Sequence, residues 1–186
     1  LLIGVMYSNG NTGGLDYLKA EGDAALFMYQ YGWVFPGPPP SPNFTLTPGD
    51  RKVTISWDNL PERTPDRFYP VMQDQGDTLY RQWDFEGYEL WRSRTGLPGE
   101  WILLAECDIA NGITLMPDTT DHGYSENGND AGLFYSYVDT TVANGFTYYY
   151  AVTAFDYNTA GLVVNDPKFV TQSSGRKRMT VIPRSE

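Results

Sequence analysis

The side chains best placed to do chemistry are oxygen ligands gathered in one short, glycine-containing stretch. Carboxylate and amide oxygens are the ligands that Ca²⁺ prefers, and glycines let a loop wrap around the ion. The spacing differs from that of an EF-hand loop. We predict a calcium site here, with a solvated acidic surface as the alternative, and we expect no other cofactor. The candidate ligands are Asp118, Asp121, Glu126, Asn127, Asn129 and Asp130.

Residues suited to catalysis are few. His122 is the only histidine, so a Ser-His-Asp arrangement or a histidine-based zinc site would have to use it. Asp84 and Glu86, or Asp118 and Asp121, could in principle flank a glycosidic bond, but pairs of this kind arise by chance in an acidic chain. Cys107 is the single cysteine, which excludes an internal disulfide and is typical of a small buried apolar residue. We therefore predict that the chain is not an enzyme.

The charge of the chain argues against some classes of partner. The 186 residues include 13 Lys and Arg against 23 Asp and Glu, a net charge of −10. A field of this sign disfavours nucleic acid and anionic membrane as generic partners. No run of about 18 apolar residues occurs that could insert across a bilayer. Lys and Arg do not occur from Thr95 to Pro167, and after Lys168 the tail carries Arg176, Lys177, Arg178 and Arg184 against one acid, which favours a basic final strand lying over an acidic body.

Alternating apolar residues predict the strands that must position these side chains. In Phe146–Asp156 both alternate faces are largely apolar, which is typical of a strand in the middle of a covered sheet. Similar patterns predict strands over Lys52–Asp58, Phe85–Ser93 and Trp101–Cys107, and Lys168–Ile182 supplies one final strand or two. The predicted core consists of Trp57, Tyr88, Leu90, Tyr148, Tyr150 and Val152.

The first 35 residues have a pattern of their own. Six of the first seven residues are apolar, which predicts a short buried strand whose partner is distant or lies in another chain. Leu15–Tyr31 predicts the single helix, and Pro36–Pro42 predicts a stiff connector. We interpret residues 1–35 as the remnant of an upstream domain or as an assembly arm. The residues expected to add to a sheet edge are Leu1, Leu2, Ile3, Val5, Met6 and Tyr7.

Four aromatic residues allow two interpretations. Trp91, Tyr149, Trp101 and Phe155 could stack on sugar rings, or they could cover a sheet face against the helix Leu15–Tyr31. The packing interpretation is favoured because an amphipathic helix needs an apolar surface on which to dock.

From about residue 40 to residue 183 the chain resembles a fibronectin type III domain. The matching stretches occur in order: a proline-rich lead-in, KVTISWD with Trp57, GYELWRS with Tyr88, WILLAEC, and YVDTTVANGFTYYYAVTAFD with Tyr148. The resemblance implies an all-β, immunoglobulin-like sandwich of seven strands, here preceded by a strand and a helix. It also implies that the ring of Tyr148 fills the edge of the core while its hydroxyl group bonds local backbone.

The chain departs from a compact module of this family in two long excursions. The domain organisation is thus residues 1–35, a connector at 36–42, and a fibronectin type III-like domain at 43–186 with insertions at 59–83 and 109–133. Elaborations of this kind resemble those in large secreted or surface proteins of bacteria.

The resemblance implies a non-catalytic, extracellular or cell-surface module of a bacterium. Its expected role is that of a structural or adhesive spacer, or an interaction domain, in a secreted, surface or filament-forming protein. The expected partners are other protein domains or copies of itself. The alternative is an accessory carbohydrate-binding module of a secreted hydrolase, and an enzyme domain upstream of Leu1 would favour that alternative.

Overall fold

A computed structural model describes residues 19, 22, 23, 25–27, 29–34, 36–114, 130–160 and 168–185. The described residues form strands, part of an N-terminal helix between residues 19 and 30, a 3₁₀ turn at Pro61–Arg63 and helix α1 at Tyr69–Asp74. The strands are β1 (Phe44–Gly49), β2 (Lys52–Trp57), β3 (Phe85–Ser93), β4 (Ile102–Asp108), β5 (Ser136–Asp139), β6 (Tyr148–Asp156), β7 (Asn158–Ala160), β8 (Lys168–Val170) and β9 (Met179–Val181). The final stretch is therefore divided between two strands.

Seven of these strands form two antiparallel sheets. One sheet has the order β1-β2-β5 and the other has the order β4-β3-β6-β9, while β7 and β8 form a separate ribbon. Apolar side chains of both sheets share one core, so the molecule is a β-sandwich with fibronectin type III-like strand order. The predicted fold class is confirmed.

The central strand β6 places alternate side chains on opposite faces of its sheet. Tyr148, Tyr150, Val152 and Ala154 point into the core between the sheets and are almost fully buried. From the opposite sheet Trp57 contacts Tyr88 edge-on, with their ring centroids 6.0 Å apart. All six residues predicted for the core lie in this cluster, so that prediction is confirmed.

The entrance to β6 is fixed by Tyr148. Its hydroxyl oxygen accepts a hydrogen bond of 3.1 Å from the backbone N–H of Ala143, as the resemblance implies. The intervening turn uses Gly145 with φ of +80°, a left-handed conformation that glycine adopts without steric cost. The ring therefore packs at the core edge while the hydroxyl group fixes the turn.

The N-terminal helix contacts a different surface from the one expected. The described residues from 19 to 30 are helical, and Phe27, Tyr31 and Val34 pack on a second cluster within the first excursion. That cluster consists of Phe68, Val71, Met72 and Tyr80. The expected docking of this helix over Trp91 and Phe155 is therefore wrong for the part of the helix that the structure describes. No helix formed by the described residues has the length and hydrophobicity needed to cross a bilayer.

Trp57 tests the packing of the sandwich. We expect Trp57→Ala to lower the free energy of unfolding by about 3–5 kcal/mol, because it removes a large aromatic side chain from between the sheets. Urea unfolding followed by tyrosine fluorescence measures this change.

Trp57→Phe is the matched control. The buried Nε1–H of Trp57 has no hydrogen-bond partner among the described residues, so Phe removes ring area without breaking a hydrogen bond. A loss below about 1 kcal/mol for Trp57→Ala, or an equal loss for both variants, would contradict the assigned packing.

Candidate functional site

Of the predicted calcium ligands, only Asp130 lies within the residues that the structure describes. Asp130 adopts a positive φ of 51°, and its Oδ1 accepts hydrogen bonds from the backbone N–H groups of Asn111 (3.0 Å) and Gly112 (2.9 Å). The other five ligands, Asp118, Asp121, Glu126, Asn127 and Asn129, lie outside the described residues, as do His122 and Leu1–Tyr7. Among the residues that the structure describes, no group of three or more His, Cys, Asp or Glu side chains is arranged to hold a metal ion. The calcium site stays a prediction.

Two buried carboxylates fasten the second excursion to the sandwich. Asp108, at the end of β4, accepts backbone hydrogen bonds from Asp130 (3.1 Å) and Ala131 (3.2 Å). Glu86 on β3 is 1% exposed, and its Oε2 accepts a bond of 2.7 Å from Asn111 Nδ2. Both ends of the excursion are thus tied to neighbouring strands of one sheet.

Glu86 also fastens the first excursion. Its Oε1 lies 2.7 Å from Arg81 Nη2, and Arg81 also donates a hydrogen bond to the carbonyl oxygen of Tyr157. Both oxygens of Glu86 are therefore occupied by donors from the fold itself. Its neighbour Asp84 accepts a bond of 2.9 Å from Asn158 Nδ2. Asp84 and Glu86, the pair spaced to flank a glycosidic bond, are engaged in holding the two loops.

A cluster of carboxyl groups lies where the first excursion meets β6. Asp84 and Asp156 are 5% and 4% exposed, and Asp66 lies against Asp84 and accepts a bond of 2.5 Å from the hydroxyl group of Tyr80. Burial, together with the neighbouring Asp66, raises the pKa of Asp84 to about 7. Burial, together with the charge of Asp84, raises the pKa of Asp156 to about 9. Asp156 therefore holds its proton at neutral pH, whereas Asp84 is close to the midpoint of its titration.

The acid cluster borders a small cavity. The cavity has a volume of about 300 Å³ and is walled by residues 37–40 of the proline-rich connector, residues 64–67 and Asp84. A carboxyl group that keeps its proton can donate a hydrogen bond into such a space. The prolines of the connector thus lie against the sandwich here, where the first excursion also returns.

The outer face of the four-stranded sheet carries a second polar network. Glu89 is buried, and its Oε2 accepts hydrogen bonds from Thr153 (2.7 Å) and Ser173 (3.2 Å). Thr153 Oγ1 in turn accepts a bond of 3.0 Å from Trp91 Nε1. The guanidinium carbon of Arg176 lies 3.9 Å from the centre of the Trp91 ring. The C-terminal segment therefore covers this face, with Arg176 on an aromatic ring and Arg178 donating to the carbonyl oxygen of Gly96.

The four aromatic residues with two interpretations divide between the two. Trp91 and Phe155 are almost fully buried, and a side chain at Gly87 would clash with the Phe155 ring. Trp101 is half-exposed and lines a groove of about 540 Å³ together with Arg176 and Arg178. Tyr149 is partly buried, and its ring lies so close to Gly96 that a side chain there would clash with it. Packing therefore explains Trp91, Phe155 and Tyr149, and the groove leaves Trp101 accessible to a ligand.

Arg81, Asn111 and Asn158, which join the loops, were not identified from the sequence. Arg81 and Asn111 lie in excursions without apolar periodicity, and Asn158 lies just beyond the predicted strand Phe146–Asp156. Their partners are up to 77 residues away along the chain, as in the bond from Arg81 N–H to Asn158 Oδ1. Periodicity reports burial on one element and carries no information about such distant pairs.

Comparisons with known proteins give little beyond this geometry. No family model matches the sequence, and no curated protein matches it. A solved Fn3-like protein from Clostridium thermocellum aligns with 74% of this chain and 97% of its own, with 15% identity and a TM-score of 0.27. A likeness of this size carries no argument, so the sandwich assignment rests on strand order and pairing.

The acid cluster predicts how stability depends on pH. Asp84 and Asp156 keep protons in the folded state that the unfolded chain releases near pH 4, so the folded state binds more protons. Their stabilising contribution is complete below the unfolded pKa and is lost as pH rises through the folded values of about 7 and about 9. We expect a higher melting temperature at pH 5 than at pH 9, measured by calorimetry.

Two substitutions separate this effect from general charge repulsion. Asp156→Asn cannot ionise and should flatten the dependence between pH 7 and pH 9, because its amide stays neutral. Asp23→Asn changes an exposed carboxylate and should leave the slope as it is in the parent. Equal slopes for Asp156→Asn and the parent would show that Asp156 is not the protonated group.

Proposed function

We propose that this chain is a non-catalytic module of an extracellular or cell-surface bacterial protein, acting as a structural or adhesive interaction domain. The observation that carries the proposal is the use of its buried carboxylates. Glu86, Asp108 and Asp139 accept bonds from side chains and backbone groups of the fold itself. Carboxylates engaged in this way hold loops in place and are not set to activate water or a leaving group.

The fold supports the same proposal at a coarser level. Fibronectin type III-like sandwiches are typically non-enzymatic, although a fold by itself does not fix a function. The proposed partners are other protein domains or further copies of this chain, because a net charge of −10 disfavours nucleic acid. Calcium bound by the stretch from Asp118 to Asp130 belongs to the same proposal, because carboxylate and amide oxygens are its preferred ligands.

A carbohydrate-binding role is the second candidate. The observation that favours it is the groove of about 540 Å³ in which half-exposed Trp101 lies with Arg176 and Arg178. An accessible indole can stack on a sugar ring, and guanidinium groups can donate hydrogen bonds to hydroxyl or carboxylate oxygens.

We expect the module to interact with further copies of itself through the apolar stretch Leu1–Tyr7. Full-length protein should show a mass above that of one chain that increases with concentration in size-exclusion chromatography with light scattering. Deletion of Leu1–Tyr7 should give a monomer, because it removes six apolar side chains that can pair with a sheet edge.

A length-preserving variant serves as the control. Replacing Leu2, Ile3 and Val5 by Ser keeps the chain length and removes the apolar character, and should act like the deletion. A monomeric parent, or a deletion variant that assembles as the parent does, would contradict the proposal. A monomeric parent retained by an immobilised polysaccharide, with retention lost in Trp101→Ala, would favour the second candidate.

A further inference from the structure

Strand β4 is an edge strand whose protection against pairing consists of a bulge at Leu104 and the acidic residues Glu106 and Asp108 in its second half. Within the described residues it pairs with β3 alone, so one row of its backbone N–H and C=O groups faces outward. Its first four residues, Ile102–Ala105, are apolar and incompletely buried, and Ile102 is 47% exposed. The strand contains neither Lys nor Pro, the residues with which proteins commonly block such edges.

The other sheet edges are less suitable for accepting a strand. β1 contains Pro48 and contacts β9 across the edge of the sandwich. β9 has three residues and β5 has four, whereas β4 has seven. A strand added at β4 can therefore make the longest row of backbone hydrogen bonds.

The chemistry of β4 limits what can be added there. Glu106 and Asp108 make the second half of the strand acidic, and Asp108 already holds the second excursion. The residues of the first half are all apolar. Leu104 has no partner on β3, because the register shifts there: Ala105 pairs with Leu90 and Leu103 pairs with Trp91. A suitable occupant is an apolar, uncharged strand of similar length.

We infer that the β4 edge accepts Leu1–Tyr7 of a second copy of this chain as an added strand. This inference rests on the proposed function, since it names the surface through which the module would associate. Leu1–Tyr7 has seven residues, as β4 has, and carries no charge. Added strands gain affinity from backbone hydrogen bonds and specificity from alternate side chains.

The N-terminal helix lies near the start of β3, which fixes where residues 1–7 set out from. The helix packs on the cluster that contains Tyr80. The hydroxyl group of Tyr80 donates a hydrogen bond to Asp66, and Asp66 lies against Asp84, the residue before β3. Ile102 pairs with Arg92 near the opposite end of β3. The seven steps from Phe85 to Arg92 correspond to about 23 Å of strand. β4 extends from this end of the sheet to the other, since Asp108 pairs with Gly87, and residues 8–18 can span up to about 36 Å. Reach therefore allows both the same chain and a second copy, and the choice of a second copy follows from the self-association proposed above.

Site-specific photocrosslinking tests the inference on the full chain. p-Benzoylphenylalanine replaces Ile102 in one sample and Val138 on β5 in the other, because both side chains are 47% exposed and lie on edge strands. Equal amounts of ¹⁴N- and ¹⁵N-labelled protein are mixed, irradiated and digested, and the crosslinked peptides are identified by mass spectrometry. We expect peptides from residues 1–7 joined to position 102 in mixed-isotope pairs, and few such peptides at position 138.

Several outcomes would overturn the inference. Crosslinks from residues 1–7 confined to single-isotope pairs would place the strand on its own chain, and crosslinks mainly at position 138 would place it on β5. A parent that assembles without either crosslink would refute the β4 edge and leave the proposed function standing. A parent that stays monomeric in light scattering would refute both.

Substitutions give an independent readout. Ile102→Lys should weaken self-association roughly tenfold or more, because a docked strand would bury its ammonium group without a partner. Val138→Lys changes an equally exposed side chain and should weaken association less than about twofold. Equal effects of the two variants would contradict an acceptor at β4.

Discussion

One buried carboxylate, that of Asp139, joins the two sheets of the sandwich. It lies on β5 of the first sheet, and its Oδ2 is 2.7 Å from Arg92 Nη1 on β3 and 2.7 Å from the hydroxyl oxygen of Tyr150 on β6. Burial alone would raise the pKa of Asp139, but bonds from Thr141, Tyr150 and Arg92 together lower it below its ordinary value. A buried charge is tolerated here only because both carboxylate oxygens accept hydrogen bonds. The packing of one sheet against the other depends on these bonds.

At the opposite end of the sandwich, buried carboxyl groups are stabilised in a different way. Burial and close carboxyl neighbours raise the pKa of Asp84 to about 7 and that of Asp156 to about 9, so Asp156 keeps its proton at neutral pH. One end is therefore held by a neutralised charge pair and the other by carboxyl groups of raised pKa, bonded to Asn158 and the backbone of Gln172. In both arrangements acidic side chains hold strands and loops together. This supports a structural role for some of the acidic residues that give the chain its net charge of −10.

The sandwich was predictable from the sequence because its signal is local. Alternation in β2, β3 and β6 shows which side chains point inward, and the turn before Tyr148 marks where β6 begins. The polar fastenings were not predictable, because Arg92 and Asp139, or Glu86 and Asn111, are brought together only by strand pairing. The predicted docking surface of the N-terminal helix was wrong for a related reason. The second cluster around Phe68 lies in an excursion whose sequence shows no apolar period, so nothing marked it as a surface that a helix could cover.

A double-mutant cycle on Arg92 and Asp139 tests most directly whether buried carboxylates hold this molecule together. The free energy of unfolding is measured in urea for Arg92→Ala, Asp139→Ala and the double variant, all at pH 7. Each single substitution should cost about 3–5 kcal/mol, since it leaves a buried charge or donor without its partner. The double variant should cost less than their sum by at least about 1 kcal/mol. Single losses that add to within about 0.3 kcal/mol would contradict a structural dependence on this pair.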